Sequence, residues 1–84
     1  MRSLREIALD IERDCNGKQW YVYAEAYVTP MKSLDNLTDT YGADSAESIV
    51  LYALSNLTYW RGDTARKCKA ELKQHLESYN KARV

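Results

Sequence analysis

The stretch from Asp44 to Trp60, DSAESIVLYALSNLTYW, leaves this chain the fewest choices of fold. Ala46, Ile49, Val50, Ala53, Leu57 and Trp60 recur at helical spacing, and Leu54 widens the stripe. Leu51, Tyr52 and Tyr59 spread apolar surface around the rest of the cylinder. A helix that is apolar on most sides has to be covered on most sides. The pattern therefore predicts a central helix over 44–60, with the other segments packed against it. Asp44, Ser45 and Glu47 form an acidic start, with Asp44 and Glu47 at capping-box spacing.

The flanking segments supply amphipathic partners. Ser3 and Glu6 form a capping box, and Leu4, Ile7, Ala8, Ile11 and Cys15 mark one face of a helix that Asn16-Gly17 ends. The stretch Lys18 to Val28 reads two ways. With period two, Trp20, Val22, Ala24, Ala26 and Val28 share a strand face. With period 3.6, Trp20, Tyr23, Ala24, Tyr27, Met31 and Leu34 form one stripe. Helix is preferred, because the stripe continues past residue 28 and no second strand is available to take the backbone hydrogen bonds. Pro30 should kink or restart that helix, with Thr29 as its cap. Leu34, Leu37 and Tyr41 extend the spacing into a short helical turn that Gly42 stops. Gly62 and Asp63 make a corner, and Ala65, Cys68, Leu72, Leu76 and Tyr79 line a last helix over 64–79, beyond which the chain should fray. Short connections favour antiparallel neighbours, so the expected architecture is an all-α, single-domain bundle of about four helices over residues 1–84.

Twelve basic and twelve acidic side chains cancel, which argues against a general nucleic-acid coat. The balance is uneven along the chain: residues 1–60 hold five basic and nine acidic groups, residues 61–84 seven and three. Either the last helix docks on an acidic body or it offers a basic flank to something else. Met1 to Cys15 has no apolar h-region and no segment reaches the length of a membrane span, so a cytoplasmic protein with thiols at Cys15 and Cys68 is expected.

Nothing in the chain makes a catalytic or cofactor motif, so no enzyme activity and no cofactor are expected. The one histidine, His75, stands about two turns from Cys68, too far for a nucleophile–base pair, and a metal site would need ligands from elsewhere. The three glycines stand singly, so no phosphate loop exists. Arg61-Gly62-Asp63 is better explained as a helix corner than as an adhesion tripeptide.

Three sets of residues carry the functional expectations. Tyr21, Tyr23, Tyr27, Tyr52 and Tyr59, in a chain with seven Tyr and no Phe, suit an aromatic protein–protein surface. Arg61, Arg66, Lys69 and Lys73 run along one flank of the last helix and could contact phosphates of DNA or RNA. Asn56, Trp60 and Arg61 make a third set, a small-ligand or nucleotide pocket, since Asn56 falls on the apolar side of the central helix and needs a partner there.

Tyr41-Gly42-Ala43-Asp44-Ser45, Ser48-Ile49-Val50-Leu51-Tyr52, Trp60-Arg61-Gly62-Asp63-Thr64-Ala65-Arg66 and Lys69-Ala70-Glu71-Leu72 resemble a family of short uncharacterised proteins encoded by tailed phages and prophages. The resemblance covers roughly residues 41–76, and Lys18 to Thr29 departs most from its pattern. It implies a phage accessory protein acting in the host cytosol, and it assigns no activity and no site residues. The leading expectation is a non-enzymatic, self-associating protein-interaction module that binds a protein, with a host protein as a candidate, through the tyrosine-rich surface and the basic flank of the last helix. A nucleic-acid-binding accessory protein is the alternative, and a nucleotide or small-ligand binder the third reading.

Overall fold

Ser3 starts the first helix as its spacing predicts: its Oγ accepts from the Glu6 backbone N–H at 3.2 Å, and the Glu6 carboxylate accepts from the Ser3 backbone. The computed structural model describes residues 2–42 and 44–83. Four helices run in the order α1 (Leu4–Cys15), α2 (Tyr21–Met31), α3 (Ala46–Ser55) and α4 (Asp63–Arg83). Each packs on two others: α1 on α2 and α4, α3 on α2 and α4. The result is an all-α bundle with the apolar face of each helix turned inward. Leu4, Ile7, Ile11, Val28, Met31, Val50, Leu57 and Leu72 are among the side chains fully withdrawn from water. None of the helices is long and apolar enough to cross a membrane, among the described residues.

The second segment is helix, not strand. Its buried face is Tyr21, Ala24, Val28 and Met31, a rotation away from the expected stripe, so Tyr23 points out. The segment is apolar nearly all round, and periodicity alone cannot choose a face in such a case. Pro30 does not restart the helix and Thr29 is no cap, since one unbroken helix runs through both. Pro30 sits in the last turn, after which the chain leaves through i→i+3 bonds from Lys32, Ser33 and Leu34.

The helical turn expected around Leu34, Leu37 and Tyr41 does not form. The Asp39 carboxylate accepts from the backbone N–H of Asp35 at 2.9 Å and Asn36 at 3.1 Å, and Asn36 Oδ1 accepts from Thr38 N–H. These short polar side chains offer the backbone partners that a helix would otherwise supply. Leu34 and Leu37 still reach the core. A two-residue hairpin follows, β1 (Thr40–Tyr41) antiparallel to β2 (Asp44–Ser45), and Gly42 takes the positive φ of 61° that its turn requires.

The third helix is shorter than the expected 44–60. Asp44 is held in β2, so Ser45 rather than Asp44 becomes the N-cap, accepting from Ser48 N–H. At the other end Ser55 Oγ, Asn56 Nδ2 and Thr58 Oγ1 all donate to nearby backbone carbonyls, which ends the regular ladder. Two tight turns, Leu57 N–H to Leu54 O and Trp60 N–H to Leu57 O, then return Leu57 and Trp60 to the interior. Ile49, Val50, Ala53, Leu57 and Trp60 are buried as the spacing predicts, while Leu51 and Tyr52 lie open to solvent. The last helix outruns its expected end at Tyr79 and continues to Arg83.

An arginine clasp closes α1 onto α4. Arg2 donates from Nε and Nη2 to the two carboxylate oxygens of Glu71, at 2.8 and 2.6 Å, and from Nη1 to Asp10 at 2.6 Å. His75, expected on a flank, is buried instead, and its Nε2 donates to the Arg2 carbonyl at 2.7 Å.

Tyr21 shows one defect in this packing. Its hydroxyl is buried and has no hydrogen-bond partner among the described residues. Burial, with Glu12 and Glu25 nearby, pushes its pKa up to about 12. An orphaned buried hydroxyl costs about 1 kcal/mol or more. Tyr21→Phe should therefore raise the unfolding free energy by about 1 kcal/mol and the Tm by roughly 5 °C, read from a thermal melt. A lower Tm would show that the hydroxyl is making a stabilising bond.

Candidate functional site

Two surfaces stand out. The first is the α2–α3 seam. Tyr27 and Tyr52 stack across it, with ring centroids 5.3 Å apart and planes 25° from parallel. Tyr23 precedes Tyr27 by one helical turn, on the same side of α2, and is 69% exposed. Tyr52 is 57% exposed, and Val22 and Leu51 add uncovered apolar surface. Tyr59, 75% exposed, projects from the turn that follows α3. Tyr21 leaves this set, because its ring lies in the core and meets Trp20 edge-on. The seam is also poor in charge. Glu25 and Glu47 are the two charged residues among the twenty-one of α2 and α3, against fifteen among the thirty-three of α1 and α4.

The second surface is a basic cleft of about 360 Å³ where the 58–62 corner meets α4. Thr58, Trp60, Arg61, Gly62, Ala65, Arg66 and Lys69 line it. Its back wall is tied to two helices: Trp60 Nε1 donates to Asp14 at 2.6 Å, and Lys69 Nζ donates to the Trp60 carbonyl at 2.7 Å. Arg66 pairs with Asp63 at 2.9 Å, but both side chains are almost fully exposed, and such pairs contribute little. Arg61 and Lys73 have no ion pair among the described residues. Burial lowers the Lys69 pKa, and repulsion from Arg61 and Lys73 lowers it further.

Of the phosphate-contacting set, the structure thus brings Arg61, Arg66 and Lys69 around one cleft and leaves Lys73 on the next turn of α4. Of the small-ligand set, Trp60 and Arg61 line the same cleft. Asn56 does not: as the residue that caps α3, its Nδ2 turns back to the Tyr52 carbonyl at 2.8 Å, so the amide is satisfied locally. Thr58 and Gly62 escaped the sequence reading, since their place in the cleft depends on how the corner folds.

A larger cavity of about 600 Å³ opens between the start of α1, the 35–38 turn and α4. Its chemistry-bearing groups are spent on the fold: Arg2 on Glu71 and Asp10, Ser3 and Glu6 on each other, His75 on the Arg2 carbonyl. The thiols are likewise sequestered. Burial pushes Cys15 up to about 12 and raises Cys68, so neither ionises at neutral pH. Among the described residues, no three His, Cys, Asp or Glu side chains are grouped to hold a metal ion.

Fold and surfaces together define a small all-α bundle with one charge-poor aromatic side and one basic corner. Comparison of the chain with protein-family models, curated proteins and solved structures finds no match in any of the three.

Proposed function

We propose that this chain is a non-enzymatic interaction module that pairs with a second copy of itself through the α2–α3 seam. The observation that carries the reading is the composition of that face: exposed Tyr23, Tyr52, Val22 and Leu51 around the Tyr27–Tyr52 stack, with little charge. Interface centres are enriched in tyrosine and depleted in charged residues. In a two-fold pair each residue near the axis meets its own copy, so a strongly charged face would repel itself. This face has little to repel, whereas α1 and α4 are charge-dense. The resemblance of residues 41–76 to short phage and prophage proteins supports a phage-type accessory role in the host cytosol.

Sedimentation velocity from low to high micromolar protein tests the reading. The mass should rise from one chain to two, and Tyr23→Glu should weaken the pair by about tenfold, a loss of about 1.4 kcal/mol. Tyr23 is exposed, so this variant should keep the helical signal of the parent. A single-chain mass at the highest concentration would sink the proposal.

A further inference from the structure

The basic cleft differs in chemistry from the aromatic pairing face and invites a different ligand. We infer that the cleft between the 58–62 corner and α4 binds a phosphate ester, held by Arg61, Arg66 and Lys69. The cations reach it from both sides of the corner: Arg61 from the turn, Arg66 and Lys69 from successive turns of α4. Lys69 is partly withdrawn from water, and its ammonium donates to a neutral carbonyl, that of Trp60, rather than to a carboxylate. A desolvated ammonium beside two further cations is an unfavourable arrangement that a bound anion relieves. The nearest carboxylate to Arg66, on Asp63, is held in a solvent-exposed i,i+3 pair that an incoming phosphate can outcompete. Arginine suits this task, because its planar fork of donors matches two oxygens of one phosphate. The cleft is roomier than a bare phosphate needs, which leaves space for the group it is esterified to.

The phosphate can belong to a free nucleotide or to a nucleic-acid backbone, and the two sources separate in a titration. The ¹⁵N-labelled protein is titrated with inorganic phosphate, a nucleoside monophosphate and a single-stranded oligonucleotide, each at fixed ionic strength. Saturable shifts are expected at the Gly62 and Ala65 amides and the Trp60 indole N–H. Arg61→Gln and Arg66→Gln should each weaken binding about tenfold, and Asp63→Asn should strengthen it about twofold by freeing Arg66. All three positions are exposed, so unchanged thermal melts establish that the variants are folded. If the oligonucleotide binds more tightly than the mononucleotide, with affinity falling steeply as salt rises, the source is a backbone and Lys73 is its next contact. If the mononucleotide binds as tightly or more so, the source is a free ester. Absence of shifts at this corner with all three probes, or unchanged binding in the Arg61→Gln and Arg66→Gln variants, overturns the assignment.

Discussion

Trp60→Ala should remove most of this protein's stability, whereas Trp60→Phe should leave it folded. The indole is 3% exposed and closes the core beyond the end of α3. Its N–H bonds to Asp14 of α1, and its carbonyl accepts from Lys69 of α4, so one residue joins three elements. Truncating a buried tryptophan to alanine costs about 3–5 kcal/mol. A domain of this size has a total of about 4–13 kcal/mol, with small domains toward the lower end. Phenylalanine retains most of the buried ring and loses the bond to Asp14, whose exposed carboxylate can return to water; a cost of about 1–2 kcal/mol follows. Urea unfolding followed by circular dichroism measures both. A loss below about 1 kcal/mol for Trp60→Ala would mean that the corner is not packed against the bundle.

The second large effect belongs to the arginine clasp. Arg2→Ala should cost about 2 kcal/mol at neutral pH, because it leaves the partly buried Glu71 without its guanidinium and Asp10 with Arg13 alone. The clasp also sets a pH dependence. Hydrogen bonds from Arg2 are the main cause that holds both carboxyls below their ordinary values, which lie near about 4. A carboxylate with a depressed folded pKa stabilises the fold above its unfolded pKa, and the contribution fades as pH falls through the folded value. The wild-type protein should therefore lose stability steeply below about pH 4, and the gap to Arg2→Ala should shrink over the same interval. Chemical unfolding of both proteins between acid and neutral pH gives that difference directly. A gap that stays constant with pH would show that the guanidinium acts through packing alone.

Much of the bundle is legible in the sequence where short-range chemistry decides. The Ser3–Glu6 box, the stripe from Leu4 to Cys15 and the stripe from Ala65 to Leu72 all fold as their spacing predicts. The misreadings arise where side chains compete with the backbone ladder. Asn36 and Asp39 turn the chain at a place that apolar spacing marks as helix, and Ser55, Asn56 and Thr58 cut α3 short. Leu57 and Trp60 still land inside, because turns of three residues keep nearly the same phase as a helix over so short a distance. Tyr21, expected on the surface, is buried, and Tyr23, expected in the helical stripe as well as on the aromatic surface, points out, since a segment apolar on nearly every side carries no preferred face until its neighbours are present. The Arg2 contact with Glu71 spans 69 positions and leaves no local signal. The cations of the cleft were visible as a helical flank, while the concavity between them exists only once the corner has folded.

Cys15 and Cys68 give the molecule a reporter it was not asked to carry. Both are free thiols in the dry interior, one on α1 and the other on α4. A thiol reagent in bulk water meets neither until those helices separate, so the rate at which the sulfurs are consumed measures how often this seam opens. No label or substitution has to be introduced to read it.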